Sequence, residues 1–376
     1  MAETSNQLRS IPFYDTQASV LLDVLRALAA FLVLSAHWRT TFFVDYFKLS
    51  THSLRLWMTI PYIFVGAGPQ AVMVFFVLSG YLIGGSVWRN TSQKRWQWRE
   101  YMLNRFTRLW LVLVPSLILC AFWDTARPHS GEYIGGHSWA YFWGNLFFLQ
   151  GTLVKTFGCN TPLWSLANEF WYYILFPCVL VALLPSYEGM RRAIHAILFI
   201  AIALFISPSI MLLFPVWLMG AAVAILPLPK MGPTLRAWVI VIYVPILFFI
   251  AKFHRLNATV GDYLLGIATA ILLVALLNHR TQAKPVFWNK AGRRAAGFSY
   301  TLYLVHVPLL VFFCRVFRVN FKRWQPTPVH IAIALGLMVV TLIYAYLIAL
   351  VTEFRTTQVR NWVRHRLSFI FAEQVE

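Results

Sequence analysis

Charge is scarce in this sequence, and acidic charge scarcer still. Only 12% of its 376 residues are charged, with 13 acids against 32 Lys and Arg. A soluble domain carries about 25% charged residues, so a chain that is 59% hydrophobic has too little polar surface to face water. Lipid is the solvent it is built for. The shortage of acids leaves a net charge of +19, but the basic residues form short clusters between apolar runs. That distribution speaks against nucleic acid as a partner and for the positive-inside rule. Cysteine is also sparse. Cys120, Cys159, Cys178 and Cys314 are far apart with no CxxC pair, so a disulfide framework and a zinc site are not expected and small buried hydrophobes are. GxSxG, P-loop, HExxH and strand-linked GxGxxG motifs are absent, which leaves serine-hydrolase, nucleotide-hydrolysing and zinc-protease readings without support.

What is present is a series of long apolar runs. A spanning helix needs about 20 mostly apolar residues. Candidates cover roughly 20–38, 60–86, 109–123, 164–184, 193–207, 209–227, 237–252, 263–278, 298–314 and 329–352. The first run carries Asp23, Arg26 and His37 and lacks a small-residue cleavage site, so it reads as a retained span rather than a signal peptide. A short aromatic segment, 139–150, is read as re-entrant or interfacial. With the N-terminus inside, the cytoplasmic segments then hold 20 Lys and Arg and the outer segments 11, among them Arg315, Arg318, Lys322 and Arg323. Were 139–150 to cross, the Arg280–Arg294 cluster would face outward, against the rule. The expected fold is an all-α, polytopic membrane bundle of about ten helices with both termini cytoplasmic. One membrane domain, 19–353, lies between a short segment, 1–18, and a tail, 354–376. Oligomeric state leaves no mark.

Ionisable residues inside a span are costly and face the bundle interior. Arg26 and His37 are eleven residues apart, close to three turns, so they share one helix face about 16 Å apart. Asp23 lies within pairing reach of Arg26. The bland account is a buried ion pair plus an interfacial histidine. The sharper one is a path, with a negatively charged donor held near Arg26 and its reactive end delivered to His37, the side chain best matched in pKa to general-base work. Arg105 and Arg108, spaced i, i+3, have forked donors suited to phosphate, though such charges also set topology and bind anionic lipid. Glu169, in Trp164-Ser165-Leu166-Ala167-Asn168-Glu169, could orient a base, bind a hydroxyl or cap a helix start. His306, alone, reads as a hydrogen-bonded packing residue.

Taken in order, these stretches resemble the acyltransferase 3 family of membrane O-acyltransferases, which includes O-antigen acetylases and glucan succinyltransferases. The resemblance rests on Asp23-Val24-Leu25-Arg26-Ala27-Leu28-Ala29 with His37 and on Phe75-Phe76-Val77-Leu78-Ser79-Gly80-Tyr81-Leu82-Ile83. Arg105 with Arg108, Trp164 to Glu169, and Ser299-Tyr300-Thr301-Leu302-Tyr303-Leu304-Val305-His306 complete it. The closing Thr352-Glu353-Phe354-Arg355 lacks the proline common there, and no stretch matches the extracytoplasmic hydrolase-like domain of some members.

The resemblance implies a multi-pass protein of a bacterial inner membrane that uses acyl-CoA, by default acetyl-CoA, as co-substrate, with no tightly bound cofactor and no metal. The acceptor it implies is a hydroxyl of an extracytoplasmic carbohydrate or glycolipid. Arg105 and Arg108 would hold CoA phosphates, Arg26 would orient the donor arm or stabilise oxyanion charge, and His37 would take the hydroxyl proton. Glu169 would orient acceptor or base, with Asp23, Ser79, Trp164, Ser165, Tyr300, Tyr303 and His306 in support. The competing class is a transporter or flippase, which often shows paired repeats or matching broken helices. This sequence has no such pairing.

Overall fold

A computed structural model describes residues 16–126, 136–252, 257–279, 281–283, 286–317 and 322–372. Residues 1–15, Arg280, Arg318 and 373–376, which figured in the charge count or the terminal segments, lie outside the described residues. The described residues are helical, with three isolated bridges in place of any sheet. Nine of their helices are long and apolar enough to cross a membrane. The expected span at 193–207 is a helix over Gly189–Phe205, 17 residues long. At 1.5 Å per residue that is about 26 Å, the lower limit for a hydrocarbon core of about 30 Å. The segment 139–150 resolves into an eight-residue helix, Trp139–Leu146, followed by turns. Eight residues reach only about 12 Å, so it does not cross as a helix.

The chain forms two compact units, Met1–Lys94 with Ser165–Ala296, and Arg95–Trp164 with Gly297–Glu376. In the first, α1 (Gln17–Phe42) begins where the chain would leave helix donors without partners. Gln17 N–H donates to the Thr281 carbonyl at 2.8 Å, Ala18 N–H to that of His279 at 3.1 Å, and Ser19 N–H to Thr16 Oγ1 at 3.3 Å. The run expected at 60–86 is broken into α2 (His52–Val65), α3 (Gly68–Ser79), a π-helical turn Gly80–Gly84 and α4 (Gly85–Ser92). The glycines explain the break. A Cβ on Gly80 would strike the Trp217 carbonyl, and one on Gly220 would strike the Val77 carbonyl. Each helix thus uses a missing side chain to seat the other's backbone, the small-residue crossing of membrane helices. At the other end of α3, a Cβ on Gly68 would meet Ala36 of α1, one residue from His37.

The rest of this unit comprises α7 (Leu163–Leu183, from Ser165), α8 (Gly189–Phe205), α9 (Pro208–Ile225), α10 (Pro233–Lys252), α11 (Ala258–Leu277) and α12 (Phe287–Gly297, to Ala296). The second unit holds α5 (Trp98–Thr125), the short α6 (Trp139–Leu146), α13 (Ser299–Phe317), α14 (Pro328–Val351) and α15 (Thr356–Ala372). Leu204, Trp238, Val339 and Leu347 are exposed while Ser116, Thr269, His306 and Thr341 are buried. That inversion of the soluble pattern is what lipid surroundings select.

Candidate functional site

In α1, the Arg26 guanidinium donates through Nη2 to Asp23 Oδ1 at 2.8 Å, and both side chains are about a quarter exposed. The i, i+3 spacing puts the two side chains within reach of each other once the helix forms. Three turns on, His37 Nδ1 lies 3.0 Å from the Val33 carbonyl. A carbonyl only accepts, so Nδ1 carries the proton and the neutral ring has its lone pair on Nε2. The ring is half-buried. Beside this end of α1 is a cavity of about 390 Å³ lined by Arg39, Asp45, Tyr46, Thr59, Tyr62 and neighbouring residues. Arg39 Nη1 contacts Asp45 Oδ1 at 3.3 Å and its guanidinium lies 5.6 Å above the Tyr62 ring.

Glu169, expected to orient a base, bind a hydroxyl or cap a helix start, is the centre of a buried polar knot. Ser79 Oγ donates to its Oε1 at 2.6 Å and the Tyr173 hydroxyl donates to the same oxygen. Trp217 Nε1 donates in turn to Ser79 Oγ at 3.2 Å. Oε2 takes none of these bonds, so the carboxylate is fixed by one oxygen and offers the other. The π-turn after Ser79 brings Trp217 close enough to complete the knot. Tyr173 was legible in principle, one turn beyond Glu169 on the same helix. Trp217 was not, because nothing in its own run marks it. Ser165 is buried in the first turn of α7, and Glu169 is the seventh residue of that helix, past its first turn, so the knot rather than a helix cap is its setting.

The second unit carries the remaining candidates. Arg105 and Arg108 are half-buried, one turn apart on α5, and the Arg105 guanidinium stands 5.7 Å over the Tyr101 ring. Trp96 packs on Tyr101 with ring centroids 4.7 Å apart. Trp164 is partly exposed. On α13, the Tyr300 hydroxyl donates to the Leu109 carbonyl at 3.2 Å and that of Tyr303 to the Pro162 carbonyl at 3.3 Å. His306 is fully buried, with Nδ1 2.8 Å from the Leu302 carbonyl. These contacts tie α13 to its neighbours. Glu353 has a clear place without the missing proline. Its Oε2 accepts from Thr301 N–H and Thr301 Oγ1, both at 2.9 Å, satisfying donors at the start of α13.

The cysteines do not all behave as four separate hydrophobes. Cys178 and Cys314 are buried, but Cys120 and Cys159 come together beside Asp124. The Cys159 thiol is held well above its ordinary pKa by its hydrogen bond with Cys120, and burial and the Asp124 charge add to that.

Among the described residues the fold is helical, and its first span carries an Asp-fixed arginine and an oriented histidine. The model of the acyltransferase-domain family matches residues 20–350, and the chain belongs to that family. Among curated proteins it is similar to the O-acetyl transferase of Shigella phage Sf6, at 29% identity over 212 residues, 52% of this chain and 56% of that protein. It is also similar to the acyltransferase MdmB of Streptomyces mycarofaciens, at 30% identity over 118 residues, 29% and 28% of the two chains. The matches thus span about half of the first relative's length and less of the second's. No solved structure matches the chain.

Proposed function

We propose that this protein is a membrane O-acyltransferase that moves an acyl group, acetyl by preference, from cytoplasmic acyl-CoA to a hydroxyl of an extracytoplasmic glycan or glycolipid. The observation that carries the reading is the single stripe of α1 on which Asp23 holds Arg26 and, three turns on, Val33 fixes His37 with its lone pair on Nε2. In the proposed step Nε2 takes the proton of the acceptor hydroxyl as its oxygen attacks the thioester carbonyl. The tetrahedral intermediate collapses with loss of the C–S bond, and the imidazolium returns the proton to the departing thiolate.

Distance divides the labour among the charges. A guanidinium about 16 Å along the helix from His37 is too far to meet an oxyanion formed there. Arg26 therefore holds the donor arm, and Arg105 and Arg108 hold CoA phosphates through forked contacts. The cavity beside the end of α1, with Arg39, Asp45 and the Tyr46 and Tyr62 rings, has the charged and aromatic lining that a sugar acceptor needs. Glu169, fixed through Oε1, offers Oε2 to orient acceptor or base. Family membership and the similarity to an O-acetyl transferase support the acyl chemistry.

The test is acyl transfer from radiolabelled acetyl-CoA to cell-surface glycan in inverted membrane vesicles. We expect transfer with the wild type, its loss with Arg26→Ala, and a drop of about 10²- to 10⁴-fold with His37→Ala. A folded His37→Ala protein that keeps most of its activity would overturn the assignment. Glycan movement that needs no acyl donor would favour the transporter.

A further inference from the structure

The strongest unassigned cluster lies in the second unit, where two thiols, an imidazole and a carboxylate converge. Cys120 and Asp124 are i, i+4 on the last turns of α5 and so share a face. His137 precedes α6, and Cys159 arrives from the loop before α7. Asp124 Oδ2 lies 3.6 Å from Cys120 Sγ and 2.9 Å from His137 Nε2. The donor atoms of Cys120, Asp124 and Cys159 all fall within 4.8 Å of one another. Around a tetrahedral zinc with bonds of about 2.0–2.3 Å, neighbouring ligands sit roughly 3.3–3.8 Å apart, close to this spacing.

Gly158 shows where the donors aim. Its φ is +55°, and a Cβ there would lie 2.5 Å from Asp124 Oδ2, 2.7 Å from Cys120 Sγ and 2.9 Å from His137 Nε2. Three donors from two segments thus point at one place, and the chain keeps a glycine beside it. We propose that Cys120, Asp124, His137 and Cys159 form a structural Zn²⁺ site.

The surroundings are built for it. Cys120 is fully buried and Asp124 is 1% exposed, while the His137 side chain, 28% exposed, leaves a way in. Arg315 Nη2 holds the other Asp124 oxygen, Oδ1, at 3.3 Å, the kind of outer contact that orients a carboxylate ligand. Buried Asn145 fixes the loop, donating to the Lys155 carbonyl at 2.9 Å and accepting from Phe157 N–H at 3.1 Å. Two thiolates, one carboxylate, the Arg315 guanidinium and a divalent ion sum to zero charge. The sulfur pair and imidazole select zinc over calcium or magnesium. Binding releases the two thiol protons, and all four ligand positions are filled by protein, which marks the ion as a staple rather than a catalyst.

The experiment uses full-length protein purified in detergent from zinc-supplemented cells, desalted and analysed by plasma mass spectrometry. The expected result is one zinc per chain, lost in Cys159→Ser and His137→Gln and retained in Cys178→Ala. Replacement of zinc by Co²⁺ in the wild type should produce thiolate-to-cobalt charge-transfer bands and intense tetrahedral d–d absorption, a readout that needs no variant to fold. Absence of zinc with no cobalt spectrum overturns the proposal. So does a thiol count of two rather than four in denaturant without reductant, which would mark a Cys120–Cys159 disulfide.

Discussion

The His37 ring is oriented by a carbonyl four residues earlier in its own helix, whereas Glu169 is held by Tyr173 one turn on and by Ser79 from another element. The difference is testable at Glu169. A glutamine keeps an acceptor oxygen for Ser79 and Tyr173, so Glu169→Gln should fold with near wild-type thermal stability but lose most of its transfer activity. Glu169→Ala removes the acceptor from two buried hydroxyls, at about 1–3 kcal/mol each, and should melt earlier. Equal melting curves for the two variants would contradict the knot. At this scale the sequence was partly legible. Asp23 and Arg26 were readable as a pair because helix geometry joins them, and Arg105 with Arg108 for the same reason. The bond between Ser79 and Glu169 joins residues 90 positions apart, and no local period encodes that. The approach of Cys120 to Cys159 is hidden on the same ground. A loop without periodicity carries one to the other.

Among the elements, the α3–α9 crossing depends on Gly80 and Gly220, and the two differ from glycines that face open space. Gly220→Ala drives a methyl into the Val77 carbonyl, while Gly336 in α14 has nothing within 4 Å of a built Cβ. Gly220→Ala should aggregate or fail to elute as a single species in detergent gel filtration, and Gly336→Ala should elute like the wild type. At the start of α13, Glu353→Ala removes the carboxylate that accepts from Thr301 and should cost about 0.5–2 kcal/mol, as a lost helix cap does. A thermal-shift assay checks this, and an unchanged midpoint would refute the capping role. Hydropathy located the helices but not their breaks, since a π-turn preserves an apolar run. That turn follows from backbone approach by a distant helix at Gly80, which composition does not record.

For the molecule as a whole, composition alone was enough to dictate lipid surroundings, and charge bookkeeping kept 139–150 from being counted as a span. The short helix Trp139–Leu146 bears that out. The spacing along α1 has a further consequence for energy supply. About 16 Å between Arg26 and His37 is roughly half the hydrocarbon thickness, so on the proposed chemistry an acyl group covers the distance by the length of the donor that carries it. Nothing charged has to be carried across, and no alternation between inward and outward states is needed. The thioester itself then drives the reaction, independently of any ion gradient. Collapsing the proton-motive force with an uncoupler in vesicles supplied with acetyl-CoA should leave the rate of acyl transfer unchanged, whereas a gradient-driven carrier would stop.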